Sequence, residues 1–277
     1  MSKKVTKEEL MIIAVARELK DYDKVLLGVG LPTTAGGLAK ATHAPHAILM
    51  TEAGIIDFEP LVPPNHIADV MCLRGYSYAL DLFNTFTTIA YRGFVDKAVL
   101  GVGQVDKFGN VNSSFMGGGP RTGMRLSGAG GAPDFIAYAQ ETILTLRHGN
   151  FVEKLDYLTS PGYLGGGEER DKSGLFAPGS GPSMLISGEA VFRFEAKTKE
   201  MYLESLLPGA KLEEIKAQVP WDLQAAHPLK KFPLPTFEDL QYMRTFAPQH
   251  CIPRQAMMEL AIATFMEFIS GRSKPKV

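Results

Sequence analysis

Cysteine is nearly absent. Cys72 and Cys251 are the only two in 277 residues, too few for a disulfide framework, and no metal-type spacing surrounds either, so the chain suits a reducing compartment. An excess of charge is also missing: 29 Lys and Arg stand against 30 Asp and Glu, a net charge of -1. That excludes a general attraction to nucleic acid or to an anionic membrane, and any phosphate contact must be local. No uninterrupted apolar run approaches the length of a membrane span, and the start, Met-Ser-Lys-Lys-Val-Thr-Lys-Glu-Glu, lacks the apolar centre of a signal peptide. These absences predict a soluble cytoplasmic protein, and the length predicts one domain over 1–277, with 208–277 as a proline-rich strap and a final helix.

Glycine is plentiful, 28 residues, with clusters at 117–119, 128–131 and 165–167 that mark tight turns. Thr6 followed by Glu9 is a capping-box pattern that opens an amphipathic helix to about Lys20. Val25-Leu26-Leu27-Gly28-Val29-Gly30 reads as a buried strand running into a glycine turn, Pro32 suits the first turn of a helix to about Thr42, and 46–51 is the next strand. Strand, helix and strand within about thirty residues make a βαβ unit, so the fold class is α/β with an open, mainly parallel sheet flanked by helices. Further along, the spacing predicts a helix within 76–91, strands at 97–105, 142–146 and 155–159, a helix from Pro133 to Gln140, and a hairpin of 191–194 with 201–203. Six prolines between 220 and 253 predict a strap over the surface. The apolar residues of 254–270, Met257 to Ile269, exceed one stripe and predict a helix buried on two sides, followed by a basic tail.

The chemistry gathers around Met50-Thr51-Glu52-Ala53-Gly54, where an apolar strand ends on one carboxylate with small residues behind it. A side chain at the carboxyl end of a parallel strand reaches the crevice in which open α/β sheets bind ligands. Glu52 is either an active-site carboxylate or a solvated loop residue. The Gly28-Val29-Gly30 turn, with Glu52 closing the next strand, also fits a dinucleotide site, although Thr33 replaces the third glycine and Pro32 intrudes. Arg121 follows one glycine cluster and Arg125 precedes the other, which begins at Gly128; turn amides with an arginine nearby can cradle phosphate or form an oxyanion hole. His43, His46 and His66 have loop-like spacing without a carboxylate or thiol set, so a structural role outweighs a metal site. Cys72 lies in an apolar run and reads as a buried thiol rather than a nucleophile served by His66. Asp57 and Glu59 near Glu52 allow a divided acid and base pair, or merely a solvated loop.

At these residues the chain resembles the family I coenzyme A transferases, in particular the B subunits of the glutaconate CoA-transferase type. The resemblance is carried by Val25 to Pro32, Ala44-Pro45, Glu52-Ala53-Gly54, the block from Gln104-Val105-Asp106 to Asn112-Ser113, Gly128-Ala129-Gly130-Gly131-Ala132, Lys154 to Gly162 and Glu195 to Leu203, in that order. It implies that Glu52 is the nucleophile, that Gly130 and Gly131 supply an oxyanion donor, and that coenzyme A is a substrate and covalent intermediate, with no permanently bound cofactor. The glycines Gly28, Gly30 and Gly128 and the arginines Arg121 and Arg125 are the candidates for holding coenzyme A. A similarly folded A subunit is implied as partner, without which the chain is inactive, together with acyl-CoA and carboxylic acid substrates. The same fold can also serve a CoA-thioester hydrolase, a ring-cleaving enzyme or a decarboxylase with Glu52 as base, or a non-catalytic CoA-binding subunit. Three departures stand out: Pro133 after Gly131-Ala132, the glycine-rich 115–122 segment, and the helix at 254–270.

Overall fold

The structure is a computed structural model describing residues 5–60, 62–64, 66–119, 121–251, 262 and 266. The elements in chain order are α1 (Lys7–Glu18), β1 (Lys24–Leu27), α2 (Leu31–Thr42), β2 (Ile48–Met50), β3 (Ile55–Ile56), β4 (Tyr78–Ala79), α3 (Leu82–Asn84), β5 (Lys97–Gly101), β6 (Gln104–Val105), β7 (Val111–Asn112), β8 (Phe115–Met116), β9 (Met124–Arg125), α4 (Ala132–Tyr138), β10 (Glu141–Leu146), β11 (Asn150–Phe151), α5 (Glu169–Ser173), β12 (Pro182–Ser187), β13 (Ala190–Phe194), β14 (Met201–Leu206), α6 (Leu212–Lys216), β15 (Ala225–Lys231) and α7 (Phe237–Phe246).

One ten-stranded sheet runs in the order β15-β14-β13-β12-β10-β5-β1-β2-β3-β4. Its centre, β2-β1-β5-β10-β12, is parallel, and antiparallel strands flank it on both sides. Alternation along the central strands sorts side chains between two cores. Val25, Leu27, Val99, Ile143, Met184 and Ile186 join the layer of α1, α2 and α7. Leu26, Ala98, Leu100, Leu144 and Leu185 face the layer of α4 and α6. Both faces are covered, as a parallel sheet requires.

The capping box of Thr6 and Glu9 is present, with each backbone N–H bonded to the other side chain. The helix it opens is not amphipathic in practice: Glu9 through Ala16 are all buried, because α1 lies between the sheet, α2 and α7. Buried Glu9 is matched by Arg244 of α7, Nε to Oε1 at 3.0 Å. Pro32 occupies the first turn of α2, and the 190–206 hairpin forms as expected.

Four expectations need correction. Residues 155–159 are not a strand: Asp156 N donates to Gln104 Oε1, Thr159 N to Val111 O, and Thr159 Oγ1 accepts from Ser113 N, so the segment is tied to β6, β7 and the residue after them by single hydrogen bonds without forming a ladder of its own. The helix expected within 76–91 is split, with Tyr78–Ala79 an edge strand and a helical stretch only from Leu82 to Ala90, its second part the wider π turn Thr85–Ala90. The 97–105 run is two strands, β5 and β6, parted at 102–103. The proline-rich segment does more than wrap the surface: β15 pairs in parallel with β14, and α7 docks on α1 and α2, where Arg17 donates to Pro233 O and Leu234 O and pairs with Asp239. The helix and basic tail expected at 254–277 lie outside the described residues, save Ile262 and Met266, which are helical and exposed.

Candidate active site

β2 ends at Met50, and the chain reverses through Thr51-Glu52-Ala53-Gly54 into antiparallel β3. Thr51 N donates to Ile55 O and Gly54 N to Thr51 O, both at 3.0 Å, which places Glu52 at the tip of a tight turn. Gly54 has φ +92, and a Cβ there would lie 2.1 Å from Leu80 O. Only glycine permits that backbone angle and that approach, so the turn seats closely against Leu80 and Thr85.

The second half of the site comes from the loop before α4. Gly131 N donates to Glu52 Oε2 at 2.8 Å. Gly131 is the N-cap of α4, so its amide lies at the positive end of a helix, which favours an anion. A Cβ on Gly131 would fall 2.6 Å from Glu52 Oε2 and 2.7 Å from the rings of both Phe135 and Phe86, and one on Gly130 would lie 3.4 Å from Glu52 Oε1. Those two rings stack at 5.4 Å and 4° and form an apolar wall behind the carboxylate. The loop itself is fastened by Gly128 N to Ser113 O and Ser113 Oγ to Gly128 O, both 2.8 Å.

Ser113 ends a hydrogen-bonded scaffold made by the 104–113 block. Asn112, fully buried, donates to Gln104 Oε1 at 2.7 Å and accepts from Ser114 N; Gln104 Nε2 reaches Asp156 Oδ2 at 2.9 Å, and Asp156 also takes Gly117 N. Polar side chains in this block thus align the loops that carry the glycines.

Of the expected site residues, the structure brings Glu52, Gly130 and Gly131 together, with Gly128 anchoring their loop. Gly30, φ +86, caps α2, while Gly28 lies against Val99 O. The Gly28-Gly30 turn borders a cleft of about 350 Å³ at the carboxyl ends of β1, β5 and β10, lined by Val29, Gly30, Ser113, Leu126 and Ser127 among others. Arg121 and Arg125 stand apart from the carboxylate: both are exposed on the β8–β9 hairpin, where Arg125 lies over the Phe115 ring at 5.2 Å. Adjacency to glycine along the chain does not fix where an arginine points.

The competing constellations dissolve. Asp57 pairs with Lys40 at 2.6 Å and accepts from Ser77, and Glu59 is exposed beside Arg74. His43 bonds to the carbonyls ending α1, His46 pairs with Asp21 and stacks on Tyr22, and among the described residues no group of three His, Cys, Asp or Glu could hold a metal. Cys72 is buried, and burial with nearby Asp69 pushes its thiol up to about 11, the opposite of an activated nucleophile. The sequence reading missed Phe86 and Phe135. The signal for Phe135 was present, one helical turn beyond Gly131; for Phe86 there was none.

The profile of the family described as Coenzyme A transferase matches residues 8–218. The chain is 34% identical over 238 residues to the B subunit of the 3-oxoadipate CoA-transferase of Pseudomonas knackmussii, covering 85% of this chain and 91% of that one. It is 31% identical over 228 residues to the B subunit of the glutaconate CoA-transferase of Acidaminococcus fermentans, covering 80% and 85%. The crystal structure of the glutaconate coenzyme A-transferase of Acidaminococcus fermentans superimposes with a TM-score of 0.81 at 27% identity, over 91% of this chain and all of that one. Sequence and fold agree, and the chain belongs to the coenzyme A transferase family, as an enzyme subunit of the B type.

Proposed function

We propose that the whole chain, 1–277, works as the B subunit of a heteromeric CoA-transferase that moves coenzyme A between a small dicarboxylic acyl-CoA and an acceptor carboxylic acid through a thioester on Glu52. The observation that carries this reading is the Gly131 N–H held 2.8 Å from Glu52 Oε2. A half-buried carboxylate with one oxygen hydrogen-bonded and the other uncommitted among the described residues is placed to attack.

The carboxylate of Glu52 adds to the thioester carbonyl and the C–S bond breaks, giving a mixed anhydride and CoA thiolate. The thiolate then attacks the glutamyl carbonyl, the first acid leaves as its carboxylate, and a glutamyl-CoA thioester remains. An acceptor carboxylate repeats the two steps in reverse, restoring Glu52 and releasing the new acyl-CoA. Each attack on the glutamyl carbonyl puts negative charge on its oxygen, which the Gly131 amide already faces; one such donor is typically worth ~3 kcal/mol. The Phe86 and Phe135 wall helps to exclude water, which would otherwise hydrolyse the anhydride. Coenzyme A is thus substrate and transient covalent partner, and the reaction needs no resident cofactor.

The dicarboxylic substrate follows from the relatives, which are named for 3-oxoadipate and glutaconate, both diacids. The partner is an A subunit of similar fold. In support, among the described residues β4 is an unpaired end of the sheet, and Tyr78 on it and Leu82 and Phe83 on the α3 that follows are exposed. Free Cys72 and Cys251 fit a cytoplasmic setting.

The test is to mix the chain with its A subunit and an acyl-CoA without acceptor and to read the intact mass. A CoA adduct located on Glu52 and removed by hydroxylamine or borohydride is expected. Consumption of acyl-CoA with no acceptor and no adduct would overturn the reading in favour of a hydrolase or lyase.

A further inference from the structure

Arg170, on the five-residue α5, is 2% exposed and has all five N–H groups engaged by neutral oxygens. Nε donates to Ser180 O at 3.0 Å, Nη1 to Pro161 O at 3.1 Å and Gly162 O at 2.7 Å, and Nη2 to Ile136 O at 2.6 Å and Ser180 Oγ at 2.9 Å. The Phe176 ring covers the guanidinium, 3.9 Å from Cζ to its centroid. Burial pushes the pKa down to about 10, so the group remains a cation at neutral pH. A desolvated cation bonded only to neutral groups is costly, and an apolar residue would fill the space more cheaply. What arginine alone supplies is a planar fork of five donors.

The fork closes on the carboxyl end of α4. Ile136 O is one of the helix's last carbonyls, and the next, Ala137 O, accepts from Ser180 Oγ at 2.8 Å and Ala177 N at 3.0 Å. Carbonyls that the helix leaves without partners are thereby tied through Arg170 and Ser180 to the 161–162 and 177–180 segments, with positive charge at the helix's negative end. The other end of the same helix presents Gly131 N–H to Glu52. Seven residues span only ~10 Å, so a tilt or slide at one end is passed to the other.

We propose that Arg170 is a positioning residue of the reaction: by clamping the carboxyl end of α4, it fixes where the amino end delivers the Gly131 amide to Glu52. The inference rests on the reading of Glu52 as nucleophile, and the experiment keeps the two separable. In the assembled enzyme, Arg170→Met and Arg170→Lys are compared with Met243→Ala, a core change on the opposite face of the sheet. Both Arg170 variants lose about 10²-fold in kcat, the scale of a misplacement of about 1 Å, while KM for acyl-CoA stays within a few fold. Lysine does not rescue, because a point charge cannot replace the fork. With ¹⁵N-glycine labelling, the Gly131 amide resonance of the native enzyme differs from that of Glu52→Gln, which changes its acceptor; both Arg170 variants also displace it from the native position, and Met243→Ala keeps the native position despite a lower melting temperature. Should Arg170→Met fail to fold, Ser180→Ala removes one arm of the clamp and gives a weaker version of the same pattern. An unchanged Gly131 resonance in the Arg170 variants, full rescue of kcat by lysine, or an equal kcat loss in Met243→Ala overturns the proposal. If Glu52→Gln kept its activity while the Gly131 signal still depended on Arg170, the nucleophile would be refuted and the clamp would stand.

Discussion

Asp106 and Glu52 both lie just beyond the end of a short strand and both accept hydrogen bonds from backbone amides, yet only Glu52 has capacity left over. Asp106 Oδ1 takes Phe108 N at 2.9 Å and Asn110 N at 3.0 Å, and its Oδ2 takes Asn110 Nδ2 at 2.8 Å. Asn110 passes the organisation on, accepting Gly162 N and Leu164 N. Glu52 makes one hydrogen bond among the described residues, to Gly131 N, and stands half-buried against an aromatic wall. A carboxylate saturated by donors holds a turn in shape; one with a free oxygen is available for chemistry. The two therefore differ in what their loss should cost: structure for Asp106, rate for Glu52.

Glu52→Gln gives the largest separation. Turnover is expected to fall by at least ~10⁴-fold, as for other removed nucleophiles. The urea unfolding midpoint, by contrast, should move by no more than ~0.5 kcal/mol in stability. Turnover within tenfold of the native rate would place Glu52 beside Asp106 as a structural group. Gly131→Ala ranks next. Its φ of −83 is compatible with alanine, so the effect must come from the methyl group, which would meet Glu52 Oε2 and both rings. Steady-state kinetics should show a loss of ~10²–10³-fold in kcat, the scale of one oxyanion donor. A near-native rate would mean that the amide does no work on the carboxylate.

Much of this was legible because it is local. The Thr6 and Glu9 box, Pro32 at the head of α2, the glycine turn after β1 and the 190–206 hairpin are each set by residues a few positions apart. Glu52 stood out as a lone carboxylate at a strand end with Gly54 behind it. What escaped depends on pairing across long separations. β12 is a short apolar run whose identity comes from lying beside β10, some forty residues earlier. Residues 155–159 read as a strand, but Asp156 and Thr159 answer to Gln104 and Ser113. β15 holds a proline and two lysines and joins the sheet only because β14 offers it an edge. Nothing in the sequence marks Arg170, and its burial depends on carbonyls from three separate segments, that of Ile136 being 34 residues away.

Asp106→Asn reverses the pattern of Glu52→Gln: stability falls by ~1–3 kcal/mol as one donor faces another, while kcat per folded enzyme stays within ~2-fold. A subtler effect lies in its pH dependence. Burial pushes the Asp106 carboxyl above the ordinary 3.8, even though Asn110 and Phe108 pull it down. Above pH 3.8 the unfolded chain has released a proton that the native state still holds, so this group makes stability fall as pH rises through the interval up to its raised value. Asp57 has the opposite sign. Burial pushes it up, but hydrogen bonds from Lys40 and Ser77 and the charge of Lys40 outweigh that and leave it lowered. Its contribution is present above pH 3.8 and is lost as pH drops through the lowered value. Urea midpoints measured against pH for the native chain, Asp106→Asn and Asp57→Asn should therefore diverge in opposite directions. The first variant flattens the decline above pH 3.8, and the second flattens the loss below it. A decline above that pH as steep in Asp106→Asn as in the native chain would show that the carboxylate at this turn carries no desolvation cost.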